Sequence, residues 1–142
     1  MTLYVMDTDH LSLYERGYQT IQGRILAIWQ NANDKLVITV VSVEEQLAGR
    51  LAQIRKAKTS QNLISAYEYL KMTFILFSNL EILDYEARAD DRFREFRKAG
   101  LRIGTQDLRI ATIALVNNGI LLTRNRRDFE KVSGLVIQDW SI

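Results

Sequence analysis

Four apolar residues in succession, Leu3-Tyr4-Val5-Met6, stop abruptly at Asp7-Thr8-Asp9. A strand that is apolar at every position is buried on both faces, so it needs layers of structure above and below it. The same stretch puts carboxylates at the strand's carboxyl end, the edge at which open α/β sheets bind ligands. Asp7 is therefore a candidate functional residue. One acid suffices to cap a helix starting near His10; two acids and a threonine in three positions exceed that need.

The rest of the chain repeats the alternation that this strand demands. Leu11 to Arg16 reads as a short helix ended by Gly17. Ile21, Ile25, Ile28 and Trp29 recur at helical spacing and predict an amphipathic helix from Tyr18 to Ala32. Leu36 to Val41 is β-branched and nearly all apolar, the pattern of a second buried strand. Ser42 and Glu45 have the spacing of a capping box that opens the next helix, with Val43, Leu47, Leu51 and Ile54 on one stripe and a basic end formed by Arg50, Arg55, Lys56 and Lys58. A further helix from Ser60 to about Phe77 carries Leu63, Tyr67, Leu70, Phe74 and Phe77 as an expected core stripe. This helical pair forms a long insertion between strands, and part of it is a candidate surface for self-association.

Leu80 to Leu83 suits a third strand, and Asp84 a cap for a charged helix running to about Ala99. After Gly100, Ile103 to Asp107 leads into a helix over Leu108 to Asn117, followed by strands at Ile120 to Thr123 and Leu135 to Ile137 and a tail at Asp139-Trp140. The expected architecture is an α/β/α sandwich in three layers around a mainly parallel sheet of four to five strands, one domain over residues 1–142.

Composition narrows the chemistry. The 142 residues contain no cysteine, which excludes disulfides, zinc–thiolate sites and cysteine nucleophiles. No apolar run approaches a membrane span and the N-terminus lacks a secretory signal pattern, so a cytoplasmic location is expected. The net charge of +2 is compatible with a polyanionic partner.

Four acids fall at corresponding places in this alternation. Asp7 leaves the first strand, Glu45 follows the second, Asp107 opens a helix, and Asp128 lies just past the Ile120–Thr123 strand. In a parallel sheet these positions share one edge. Carboxylates gathered there repel one another unless a cation compensates, and oxygen ligands without cysteine favour Mg²⁺ or Mn²⁺. Hydrolysis of a phosphodiester is the reaction class that follows. Thr8 and Thr105 are candidates for orienting water or substrate, or for capping helices. Arg124, Arg126 and Arg127, flanking Asn125, are placed to hold phosphate oxygens. His10, the single histidine, reads as a structural or surface residue, not a catalytic one.

Taken together, Tyr4-Val5-Met6-Asp7-Thr8-Asp9, Ser42 to Gly49, Ile103 to Ala111 and Leu122 to Phe129 resemble the PIN-domain ribonucleases, and within them the VapC-like toxins of type II toxin–antitoxin systems. The resemblance spans essentially the whole chain and implies a PIN-like fold. By it Asp7, Glu45 and Asp107 match the family's metal-binding acids, with Glu45 preferred to Glu44 by its spacing to Gly49. Asp128 or Asn125 occupies the more variable fourth polar position, and Asp9 stands where Asn or Ser is frequent. The resemblance further implies Mg²⁺- or Mn²⁺-dependent cleavage of RNA by a metal-activated water, a homodimer, and inhibition by a cognate antitoxin protein. Two alternatives are a non-catalytic PIN-like module that binds RNA or protein, and a receiver-like domain that binds Mg²⁺ and accepts a phosphoryl group. The latter fits less well, because the Ile120–Thr123 strand exits to Arg-Asn-Arg-Arg where such a domain has lysine.

Overall fold

A computed structural model describes residues 1–31 and 33–142. Its elements are β1 (Thr2–Met6), α1 (Thr8–Glu15), α2 (Gln19–Trp29), β2 (Asp34–Thr39), α3 (Val40–Lys56), α4 (Ser60–Ser78), β3 (Glu81–Leu83), α5 (Ala87–Lys98), α6 (Thr105–Val116), β4 (Ile120–Leu122), α7 (Arg126–Phe129) and β5 (Val136–Gln138). The predicted end of the second helix, Ala32, lies outside the described residues.

The five strands form one sheet in the order β3-β2-β1-β4-β5, and each pairing is parallel. Strand order therefore reverses between β1 and β4, which opens a crevice at the carboxyl ends of those two strands. Both faces are covered, as the continuous apolar strands require. Val5, Val37 and Leu121 pack on one side with Leu108, Ile110 and Ile113 of α6. On the other side Met6, Ile38 and Leu122 meet Leu11, Ile21, Ile25 and Trp140. Neighbours such as Val5 and Met6 point to opposite faces because side chains alternate along a strand. Gly119 permits the close approach of the α6–β4 turn to β1, since a Cβ there would lie 2.8 Å from Val5 Cγ2.

Several local expectations are corrected. β2 ends at Thr39, not Val41, and Val40 and Val41 already belong to α3. The helix is capped by Thr39, whose hydroxyl accepts from Ser42 N at 3.1 Å, so Ser42 and Glu45 form no capping box. Two threonines expected as possible caps are instead first helical residues: α1 is capped by Asp7 and α6 begins after Gly104. Asp84 does not cap α5, where Glu86 holds the cap position without a side-chain bond.

Two apolar stripes also face differently from expectation. Ile21, Ile25 and Ile28 are buried, but Trp29 is exposed, with its ring edge-on to Tyr14 at 6.5 Å. On α4, Leu63, Tyr67 and Phe74 are exposed, and the inward residues are Ala66, Thr73 and Phe77. The inner face of α4 meets a polar network in which Arg50 is paired with Glu15 and donates to Thr73 Oγ1 at 2.9 Å, while Thr73 donates to Glu15 Oε2 at 3.0 Å. Spacing defines a stripe but not the direction it faces.

Candidate active site at the carboxyl edge of the sheet

The crevice between β1 and β4 holds a pocket of about 340 Å³ lined by Asp7, Thr8, Asp9, Glu45, Asp107, Arg124, Asn125 and Phe129. Asp7 is fixed there by the sheet. Its backbone N donates to Leu122 O at 3.0 Å, carrying the β1–β4 pairing one residue further. One carboxylate oxygen, Oδ1, accepts from His10 N at 2.8 Å and so caps α1. The capping reading is thus correct for half of this carboxylate, and the side chain still lines the pocket.

Glu45 lies in the second turn of α3, free of any capping duty, and its Oε1 accepts from Thr8 Oγ1 at 2.6 Å. The Thr8 hydroxyl is also 3.1 Å from Ser42 Oγ. Thr8 therefore ties the start of α1 to the carboxylate on α3. Asp107 enters from the first turn of α6. Burial raises its pKa from 3.8 to about 6, and the charges of Glu45, Asp7 and Asp128 push in the same direction. The amino end of α6 favours an anion, so desolvation and carboxylate repulsion together outweigh the helix dipole.

Asp128 is near enough to act on Asp107, but its own carboxylate is engaged elsewhere. Asn125 Nδ2 donates to Asp128 Oδ2 at 3.0 Å and holds this acid below the usual carboxylate range, with the charges of Lys131 and Arg127 adding to the effect. Asn125 lines the pocket beside it. Asp9 is bound bidentately by Arg124, at 2.7 Å from Nε and 2.9 Å from Nη2. Arg126 pairs with Glu130 at 3.4 Å, Arg127 is exposed, and Thr105 accepts from Arg97 at 3.4 Å away from the pocket lining.

His10 is the residue whose contribution sequence reasoning understated. It is fully buried, and its Nε2 accepts from Trp140 N at 3.1 Å, which fixes the ring proton on Nδ1, 3.5 Å from Asp7 Oδ1. Asp7, Asp9 and His10 form the one group of three potential metal ligands within 4.8 Å of one another among the described residues. Nε2 is taken by Trp140 N, Nδ1 is buried without a hydrogen-bond partner, and Asp9 is neutralised by Arg124. His10 instead anchors the C-terminal tail behind Asp7. The partner lies 130 positions away, and no local signal marks it.

A parallel α/β/α sandwich with carboxylates gathered at its topological switch point defines a PIN-like fold with an acidic pocket. Among sequence relatives, Ribonuclease VapC1 of Haemophilus influenzae (strain R2866) is 29% identical over 142 residues, covering 98% of both chains. Ribonuclease VapC2 of Rickettsia felis is 36% identical over 70 residues, so that match covers 46% of this chain and 52% of the relative's length. The solved structure of VapBC-1 from nontypeable H. influenzae superposes with a TM-score of 0.78 at 25% identity, over 99% of this chain and 100% of that one. No protein-family model matches. In sequence and in fold the chain is thus similar to VapC ribonucleases, and its fold is PIN-like.

Proposed function

We propose that this protein is a metal-dependent endoribonuclease and the toxin of a type II toxin–antitoxin pair, with residues 1–142 acting as one PIN domain. The observation that carries this reading is the convergence of Asp7, Glu45 and Asp107 on one pocket, strongly enough to raise Asp107 to about 6. Such a hard, oxygen-only donor set with excess negative charge fits Mg²⁺ or Mn²⁺. Asp7, Glu45 and Asp107 would hold the ion, with Asp128 as an outer fourth acid. A bound ion of this kind supplies an activated water and neutralises charge on a scissile phosphate.

The chain's own residues do the remaining work. Thr8 orients the Glu45 carboxylate, and Asn125, which lines the pocket, keeps Asp128 ionised just outside it. Arg124, Arg126 and Arg127 form a cationic border on the β4 side, suited to phosphate oxygens of RNA or to an acidic segment of the antitoxin. Thr105 supports the site at most indirectly, through the start of α6.

A homodimer and an antitoxin complex are supported by apolar surface. Tyr67, Phe74 and Ile75 on α4 are exposed, as are Leu26 and Trp29 on α2, apolar side chains that a protein partner would cover. Among the described residues no helix is long and apolar enough to cross a membrane, and RNA as substrate supports action in the cytoplasm.

The test is incubation of purified, antitoxin-free protein with a mixed RNA pool in Mg²⁺, Mn²⁺ or EDTA, alongside Asp7→Asn. Metal-dependent cleavage lost in the variant is the expected outcome. Cleavage that survives EDTA, or equal activity of Asp7→Asn, would overturn the assignment. Light scattering at micromolar concentration tests the dimer, and a monomeric mass refutes it.

A further inference from the structure

A second cleft, about 770 Å³ in volume, opens between α1, α3 and α4 and shares Asp9 with the acidic pocket. Asp9, Arg16, Gln46, Arg50, Gln53 and Tyr69 contribute to its walls. Its volume lies within the roughly 300–1,000 Å³ common for sites that take small ligands. A chain lying across the acids would place an adjoining residue of that chain in this cleft.

We propose that the cleft is a subsite for an unpaired nucleobase next to the cleaved phosphate, and that it sets the sequence preference of the enzyme; this rests on the ribonuclease reading above. Both acids on its wall are already neutralised, Asp9 by Arg124 and Glu15 by Arg50. The cleft therefore does not repel a polyanion, and exposed Arg16 adds a cation at its rim. Arg50 is committed to structure. Beyond Glu15 and Thr73 it donates to Gln53 Oε1 at 3.1 Å, and its guanidinium lies 5.3 Å from the centre of the Tyr69 ring. One side chain thus steadies both an aromatic platform and an amide.

The amides present donors. With Gln53 Oε1 taken by Arg50, its NH₂ group is left for a ligand. Gln46 Oε1 accepts from Ser12 Oγ at 3.4 Å, and Gln46 Nε2 is buried without a partner. A buried amide N–H₂ without an acceptor costs free energy unless something supplies one. A base with keto oxygens or ring nitrogens does so while stacking on Tyr69, the combination by which single-stranded bases are recognised.

The experiment compares wild type, Gln46→Ala and Tyr69→Ala on a randomised single-stranded RNA pool, sequencing the cut sites. In parallel, binding of short single-stranded oligoribonucleotides to Asp107→Asn protein is measured by fluorescence anisotropy, with and without Tyr69→Ala. The subsite requires that base preference beside the cut relaxes, that kcat/KM on the preferred sequence falls about ten- to hundred-fold, and that oligonucleotide affinity drops in parallel. Disfavoured sequences should be cut at nearly the wild-type rate. Gln53→Ala, at an exposed position, serves if Gln46→Ala does not fold. Unchanged preference and affinity in folded variants overturn the proposal, and so does a loss confined to binding of a protein partner, which would make the cleft a protein-docking groove. Absence of cleavage by wild type is a failure of the broader reading; the anisotropy arm still decides whether the cleft holds a base.

Discussion

Thr8 Oγ1 donates to Glu45 Oε1 across 2.6 Å, joining the first residue of α1 to the second turn of α3. A hydrogen bond to a charged acceptor contributes roughly 1.5–3 kcal/mol, so this contact fixes where a site carboxylate points. Thr8→Val keeps the shape and removes the donor. RNA cleavage should fall about tenfold or more with a melting temperature lowered by several degrees at most, and Thr8→Ser should restore most of both. Equal rates for Thr8→Val and wild type would show that Glu45 needs no such support.

Asp107 gives the site a pH dependence of definite sign. Its folded pKa, about 6, exceeds the ordinary 3.8, first through desolvation and then through Glu45, Asp7 and Asp128. The folded state therefore holds this proton more tightly than the unfolded chain does. Its contribution to stability is fully present below about pH 4 and is lost as pH rises through about 6. In EDTA, Asp107→Asn should lose less stability than wild type over that window while being inactive with Mg²⁺. Parallel melting curves for the two proteins across that range would contradict the shift.

The Asp9–Arg124 pair is exposed on both sides, so it should matter more for binding than for folding. Asp9→Ala should change unfolding free energy by less than about 1 kcal/mol. Arg124→Ala should weaken RNA binding and lower the slope of log affinity against log salt by about one. Anisotropy titrations at several salt concentrations measure that slope, and an unchanged value removes Arg124 from the phosphate contacts.

His10 should behave as a structural residue. Replacing it by Ala leaves a cavity behind Asp7 and strips the acceptor from buried Trp140 N. A loss of roughly 2–4 kcal/mol in urea unfolding is expected. Metal affinity measured on the folded fraction should change far less than in Asp7→Asn; an equal loss would make His10 a ligand.

Most of the architecture was legible in local pattern. Apolar runs marked β1, β2 and β4, and helical spacing marked α2 and α3, because burial imposes periods that a short window displays. Boundaries were less legible. Val40 and Val41 read as strand because β-branched residues suit it, yet Thr39 supplies a cap and the chain turns helical one residue later. That shift released Glu45 from the capping explanation that made it look dispensable. On α4 the regular spacing of Leu63, Tyr67 and Phe74 suggested core, whereas Thr73 faces inward to meet Arg50 and Glu15.

By itself the sequence determined that strands and helices alternate and that Asp7 and Asp107 sit close to an element's end, since both follow from residues within a few positions of one another. Only the tertiary structure decided that Asp9 spends its charge on Arg124, 115 positions away, that Thr8 serves Glu45, and that His10 holds the tail at Trp140. The reason is the strand order β3-β2-β1-β4-β5: it brings the ends of β1 and β4 together across most of the chain, and no local period encodes that adjacency.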